Sequence, residues 1–332
     1  MSSNEFDVSI VVPAYNQALL LNRLLDSITR QDYTGAVEVI VVEDCSPDNT
    51  GEIVQAWIAA HPAFHGKYLR HEVNTGPGKA RNTGLHAACG RLIVFTDTDV
   101  VVQPQWLREL VAKIDPEQNI VGVGGRVLAL HLSSPYARYN ALWKTLEPPQ
   151  PAVGPIPFLV TCNCCYLREA LLSVGGFTED IRTPGGEDIA ASIMLFKKGY
   201  RFDFAENAVV YHDFRDTFKN FRRTWRNYGY GCALVAHRLL TPDELAPDGK
   251  EPSPGNYWPI HPIRPSVTGV RSTFYDLRIA WLHSRVFKLG FKETLESLFV
   301  RLVERYSFLY GWKQGIRRYN AEKQARITGQ QP

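Results

Sequence analysis

Apolar positions recur with two alternating periods along the first hundred residues. Val8 to Val12 is a β-branched run stopped by Pro13, which predicts a buried strand. Leu20, Leu21, Leu24, Leu25 and Ile28 then fall at helical spacing. Val37 to Val42 predicts a second strand, followed by a helix with Ile53, Val54, Trp57 and Ile58 on one face. Lys67 to Glu72 predicts a third strand and Lys79 to Ala88 a third helix. Leu92 to Phe95 predicts a fourth strand, and Pro104 to Ile114 a helix with proline in its first turn. This alternation places the chain in the α/β class, with a mostly parallel sheet flanked by helices.

Beyond residue 115 the pattern loosens. Ile120 to Val127 predicts a strand, and Pro135 to Leu146 a helix rich in aromatics. A Pro/Gly-rich loop from Pro148 to Pro157 leads into a strand over Phe158 to Tyr166. Ile189 to Phe196 has helical spacing, and Ala208 to Tyr211 predicts a last short strand. After Phe214 come a basic helix, a Pro-rich connection from Thr241 to Pro265, and two long helical patterns. The composition shifts near residue 215, and no internal repeat is present.

Composition refines this picture only slightly. With 332 residues, 45% hydrophobic and 21% charged, the chain can bury a core that needs no disulfide or metal staple. A net charge of +3 gives no reason to expect a nucleic-acid partner. Its distribution is uneven: from Arg271 onward twelve Lys and Arg face five Asp and Glu, leaving −4 for the remainder. The basic end fits solvated helix faces, or contact with phosphate or an anionic membrane. Of six cysteines, Cys162, Cys164 and Cys165 are crowded together; they read as buried thiols on a strand, with redox or metal chemistry as the alternative. The first residues lack the pattern of a signal peptide, and no run reaches the roughly 18 apolar residues of a membrane span. A cytoplasmic location is the expectation.

Four polar clusters coincide with predicted strand ends. Ala14-Tyr15-Asn16 follows the first strand, and Glu43-Asp44 closes the second. Asn74-Thr-Gly-Pro-Gly78 follows the third, and Asp97-Thr98-Asp99 the fourth. In an open α/β sheet these carboxyl ends share one edge, where ligands bind. Two aspartates two residues apart can reach one hard cation, and Mg²⁺ or Mn²⁺ takes such oxygens together with substrate phosphates. Alternatively they are the solvated side chains of a turn. Gly76 and Gly78, with Lys79, Arg81 and Asn82, open a helix whose amino terminus suits phosphate; a plain helix start with surface cations is the other reading. The loop is not a P-loop, because no GxxxxGK[ST] is present.

These motifs, Val8-Ser-Ile-Val-Val-Pro-Ala-Tyr-Asn16, Val41-Val-Glu-Asp-Cys-Ser-Pro-Asp48, Asn74-x-Gly-x-Gly-Lys-Ala-Arg-Asn-x-Gly84 and Asp-x-Asp, closely resemble the family 2 glycosyltransferases. The likeness continues through Val174-Gly-Gly-Phe177, Gly186-Glu187-Asp188 and Val210-Tyr-His212, covering roughly residues 8 to 215. It implies a GT-A fold, a nucleotide diphosphate donor (a UDP-sugar), Mn²⁺ or Mg²⁺, and inversion at the anomeric carbon. It divides the chain into a donor-binding half over 1–130, an acceptor-binding half over 131–215, and a helical extension over 216–332. By resemblance Asp44 binds the nucleotide base, with Pro13, Ala14 and Tyr15 lining that pocket. Gly76, Lys79, Arg81, Asp97 and Thr98 fall on the donor side, and Asp97, Asp99 and His212 on the metal. Asp188 matches the general base, with Glu187 orienting it or meeting the acceptor. Two departures stand out: Glu43 where aspartate is commoner, and Cys45 where glycine is frequent, so that turn is expected to differ.

Chemistry supports Asp188 independently, since a carboxylate within hydrogen-bond reach can take the proton of an attacking hydroxyl. An acidic helix start is the structural alternative, and His212 is open between a structural role and metal contact. Arg222, Arg223, Trp225, Arg226 and Tyr228 are open between a diphosphate contact and a solvated face. Trp281, Phe287, Phe291, Leu298, Phe299, Leu302, Tyr306, Leu309 and Tyr310 sit among cations near helical spacing. They predict either an amphipathic hairpin packed on the domain or on a second subunit in a homodimer, or attachment to an anionic membrane. The acceptor is a glycan, lipid or peptide. A sugar nucleotidyltransferase and a non-catalytic sugar-nucleotide binder are the rival functions.

Overall fold

The computed structural model describes residues 6–150, 154–214, 217–241, 285 and 290–328. Trp281, Phe287 and the connection beyond Thr241 lie outside the described residues. The chain forms two compact units. The first comprises residues 1–130, 146–182 and 190–213, and the second 131–145, 183–189 and 214–332.

The first unit is built on an eight-stranded sheet: β1 (Phe6–Ala14), β2 (Val37–Glu43), β3 (Lys67–Arg70), β4 (Gly90–Thr96), β5 (Val100–Val102), β6 (Ile120–Ala129), β7 (Asn163–Leu167) and β8 (Arg201–His212). Their order is β3-β2-β1-β4-β7-β6-β8-β5. The first four strands run parallel, so their carboxyl ends share one edge. β7 is antiparallel to both β4 and β6, which makes the sheet mixed. All seven residues of β2 are buried, as expected for a strand covered on both faces. The helices of this region are α1 (Ala18–Ile28), α2 (Thr50–Ala60), α3 (Pro77–Ala87), α4 (Trp106–Val111) and α6 (Arg168–Ser173), with α5 and α7 given below. Leu21, Leu24, Leu25 and Ile28 of α1 are fully buried, the stripe their spacing predicts. One core cluster joins Val11, Ile40, Ile93, Phe95, Tyr166 and Phe202.

Several boundaries differ from the sequence reading for identifiable reasons. Phe158 to Cys162 are buried but not in a strand: the Leu159 amide donates to Ser192 Oγ at 3.2 Å, and the Asn163 amide turns back to Val160 O. β8 begins at Arg201, well before Ala208, because a register irregularity opposite Gly125 and Arg126 accommodates exposed Glu206 and Asn207. The Val100–Val102 run forms β5, antiparallel to β8, which periodicity alone did not reveal. Asn163 ties the central strands together. Its side chain donates to Arg126 O and Ala208 O at 2.9 Å and accepts from Trp106 Nε1 at 2.7 Å.

In the second unit, α5 (Pro135–Trp143) is capped by Ser134 Oγ, and α8 (Phe218–Leu239) by Thr217 Oγ1. The last helix, α9 (Phe291–Thr328), runs beside α8 in the same direction: Phe218 stacks on Phe299, and Arg238 meets Glu322 farther along. Close approach needs bare backbone at the crossing. A Cβ on Gly229 would strike the Phe308 carbonyl, and one on Gly311 the Arg226 carbonyl. Arg301, buried beside Trp143, donates to Glu304 at 2.8 Å and to the Tyr139 hydroxyl at 3.0 Å, which fixes α9 against α5. Helix α7 (Glu187–Lys197) starts in this unit. Among the described residues no helix is long and apolar enough to cross a membrane.

Candidate functional site

The four polar clusters do lie beyond the carboxyl ends of β1 to β4. Asp44, just past β2, is buried, and its carboxylate is engaged by its own chain. Oδ1 accepts from the Thr75 amide and hydroxyl, each at 2.8 Å, and lies 2.8 Å from His71 Nδ1. Oδ2 accepts from the Gly76 amide at 2.7 Å. Gly76 has φ of +93°, and a Cβ there would meet Arg182 backbone, so the tight turn demands glycine. Cys45 has φ of +60°, in the left-handed region that suits glycine. Glu43, also buried, accepts from the Ser46 amide at 3.1 Å and from the Tyr68 hydroxyl. Burial foremost, and then that contact with Glu43, pushes the Tyr68 phenol up to about 12.

At the β1 end Ala14 is buried and Tyr15 half exposed. Asn16 donates its amide to Ser46 Oγ at 3.0 Å, binding the first cluster to the second. Thr98 donates to Gln17 from the β4 side. In the third cluster, Lys79 pairs with Glu179 at 2.9 Å. The Asn82 amide group exchanges bonds with the Phe177 backbone, 2.8 Å each way. Arg81, nearly buried, donates to Asp97 Oδ1 at 2.8 Å.

Asp99 and His212 come together through strand pairing. Val100 faces His212 in the β5–β8 register, and the Asp213 amide donates to Asp99 O at 2.8 Å. His212 Nε2 therefore sits 3.3 Å from Asp99 Oδ1, with both side chains about nine-tenths buried. Beside them Arg23 pairs with Asp213 at 2.7 Å. Of the three predicted metal ligands, then, Asp99 and His212 meet, while Asp97 is bound to Arg81. Among the described residues no three His, Cys, Asp or Glu side chains converge on one point. Cys162, Cys164 and Cys165 are buried free thiols, and burial pushes the Cys165 thiol up, which makes it a poor nucleophile.

Glu187 and Asp188 belong to the second unit and open α7. Glu187 is buried and accepts from the Gly185 amide at 2.8 Å, closing the turn in front of the helix. Asp188 is more exposed, and its Oδ1 accepts from the Ile189 amide at 2.8 Å. A helix amino terminus favours such negative charge. Helix α8 supports this turn directly. Gly231 lies against Gly185 and Gly186 backbone so closely that a Cβ would strike the Gly185 carbonyl.

Sequence reasoning missed His71, Thr75, Glu179 and Gly231. The first three act through long-range bonds that no local spacing encodes, although Thr75 stands inside a recognised motif. Gly231 has a faint signal: glycines at 229 and 231 inside a helical pattern imply close backbone packing.

Comparison with known proteins supplies independent findings. The model of "Glycosyl transferase family 2" matches residues 9–175. The chain is 31% identical over 250 residues to a pre-mycofactocin glycosyltransferase of Mycobacterium tuberculosis, covering 73% of this chain and 49% of that protein. It is 28% identical over 249 residues to an N-acetylglucosaminyltransferase of Mesorhizobium japonicum, 58% of which is covered. The chain thus spans about half the length of such relatives. Among solved structures, a mannosyltransferase from Pyrobaculum calidifontis, in complex with GDP-Man and Mn²⁺, superposes with a TM-score of 0.61 at 19% identity. That superposition covers 94% of this chain and 87% of the other.

Proposed function

Because the chain belongs to glycosyl transferase family 2 and has the GT-A fold, we propose that it moves a sugar from a UDP-sugar to a hydroxyl of a glycan, lipid or peptide acceptor, inverting the anomeric carbon. The observation that carries this reading is the Asp99–His212 pair beside the Arg81–Asp97 pair at the parallel strand ends.

The pair fits a divalent metal. Two nearly buried donors 3.3 Å apart, a carboxylate oxygen and an imidazole nitrogen, would both be within reach of one ion. A carboxylate oxygen with an imidazole nitrogen suits Mn²⁺ well and Mg²⁺ less well. Asp99 and His212 would hold the ion, and such ions bind readily alongside substrate phosphates. When bound, Mn²⁺ or Mg²⁺ neutralises the charge that grows on the diphosphate as the sugar–phosphate bond breaks.

The chain's own residues do the rest. Arg81, held by Asp97, keeps a positive charge at the donor edge. Asp44 shapes the base pocket through the loop it clamps, with Pro13, Ala14 and Tyr15 as its other wall. Asp188 takes the acceptor proton as the hydroxyl attacks, and Glu187 holds the turn that aims it. A single general base without a covalent intermediate implies one displacement, hence inversion.

The test is incubation with UDP- and GDP-sugars, with and without Mn²⁺, followed by chromatography for the nucleoside diphosphate. Metal-dependent release from one donor, abolished by Asp99→Ala, is expected. Silence with every donor, or pyrophosphate formed from a nucleoside triphosphate and a sugar phosphate, would overturn the reading.

A further inference from the structure

Helix α9 has two opposite faces. Ser297, Val300, Arg301, Glu304, Phe308, Gly311, Trp312 and Gly315 are buried along one side. At about 100° per residue, Phe291, Leu295, Phe299, Leu302, Tyr306 and Tyr310 fall within an arc of about 100° on the other. Most of these remain open to solvent: Phe291 is 82% exposed, Tyr306 68%, and Leu295, Phe299 and Tyr310 about half. Burial therefore accounts for one stripe of this helix and leaves a second, aromatic stripe uncovered.

The neighbouring stripe belongs to α8 and is continuous with it. Phe218 stacks on Phe299 with centroids 6.0 Å apart, and Arg226 lies over the Tyr310 ring at 4.9 Å. Arg222 covers Phe218 at 5.9 Å. Lys219, Arg222, Arg223 and Arg226 are all exposed on the first turns of α8. Lys313 and Arg317 extend the α9 stripe toward its end, and both are exposed.

The acidic residues of α9 are arranged the other way. Glu304 is buried against Arg301, Glu322 is bound to Arg238 and Arg318, and Glu296 pairs with Arg138. Glu293 projects away from the stripe by the same helical geometry, and its carboxylate lies near Gly290. Among the described residues the α8–α9 face thus presents Phe, Tyr and Leu with Lys and Arg, and no Asp or Glu.

We propose that this face lies on an anionic lipid bilayer, with the aromatic rings at the level of the headgroups and the cations on the phosphates. An interfacial helix combines an apolar stripe with flanking Lys and Arg in this way. Tyr306 and Tyr310, each with a polar hydroxyl on an apolar ring, favour the boundary between water and hydrocarbon. Charge selects the occupant. A second copy docked on the same face about a two-fold axis would set like charges against each other, whereas anionic headgroups complement them.

The experiment is co-sedimentation of the full chain with vesicles of phosphatidylcholine, alone or containing phosphatidylglycerol, at low and high salt. Each Lys or Arg near an anionic surface strengthens binding about fivefold. Sedimentation is expected only with phosphatidylglycerol, and it should fall steeply as salt screens the surface. Lys313→Glu combined with Arg317→Glu should weaken it at least tenfold. Phe291→Ser combined with Tyr306→Ser should weaken it similarly, with melting temperature and nucleoside diphosphate release unchanged. Equal binding to neutral vesicles, or variants that bind like the wild type, would overturn the proposal. So would no binding at low salt, which would leave the face to a second copy. Vesicle binding and donor turnover are read separately, so either conclusion can fail alone.

Discussion

Asp99 Oδ1 and His212 Nε2 lie 3.3 Å apart although 113 positions separate them in the sequence, because β5 and β8 pair antiparallel immediately beside both. Removing the imidazole takes away one of two proposed protein ligands without disturbing strand pairing. His212→Ala is therefore expected to weaken Mn²⁺ binding in the presence of UDP by about 10- to 100-fold. Calorimetric titration of the metal reads this directly. Unchanged affinity would assign His212 a structural role.

Asp44 clamps a loop. Its replacement by alanine would leave the buried Gly76 amide without its bond, at a cost of about 1–3 kcal/mol, and would also free the half-buried Thr75 amide. Asp44→Ala is expected to lower the melting temperature in the absence of any nucleotide. It should also weaken UDP binding. A variant as stable as wild type that binds UDP poorly would restore direct contact with the base as the whole of its role.

Glu38 is fully buried, with Lys67 Nζ at 2.7 Å and bonds from Ser9 Oγ and the Cys89 amide at 2.6 Å. Burial alone would raise its carboxyl, but the bonds from Lys67, Ser9 and the Cys89 amide outweigh it and hold the group below the usual value. The folded state thus binds its proton less readily than the unfolded state. The resulting stability is present above the ordinary carboxylate value of 4.5 and is lost as pH falls through the folded value. Glu38→Gln should cost about 1 kcal/mol at neutral pH, because Lys67 is more than a third exposed and solvent screens the charge left behind. It should also flatten the acid limb of stability against pH, as followed by denaturant titration.

Gly231 carries no side chain that could do chemistry, yet it sets the turn before Asp188. Gly231→Val must push Gly185 and Gly186 away from α8. A misplacement of about 1 Å at a reacting group can cost about 100-fold. A fall in kcat of that order, with the Kd for UDP unchanged, is expected. Loss of UDP binding in step with kcat would indicate general unfolding.

The sequence showed the parallel strands clearly because each is a compact β-branched run closed by a polar cluster. Val8 to Val12 and Val37 to Val42 could be read without ambiguity for that reason. Where burial is satisfied by side chains the signal misleads: Phe158 to Cys162 is as apolar as a strand, yet the Leu159 amide is taken by Ser192. Asp44 and Asp99 were legible as residues at the right edge. Their partners were not, since His71, Thr75 and the β5–β8 register depend on contacts between distant segments. The antiparallel insertion of β7 between β4 and β6 is equally invisible to local periodicity.

The most direct test of the central claim is the thermal stability of the chain with UDP, with and without Mn²⁺, in wild type and in Asp99→Ala. A ligand that binds only the folded state raises the melting temperature according to its affinity. The wild type is expected to gain markedly more from UDP with Mn²⁺ than from either alone, and Asp99→Ala to lose that excess. An equal gain in both proteins, or a wild-type gain indifferent to Mn²⁺, would contradict a metal-assisted donor site at the end of the fourth strand.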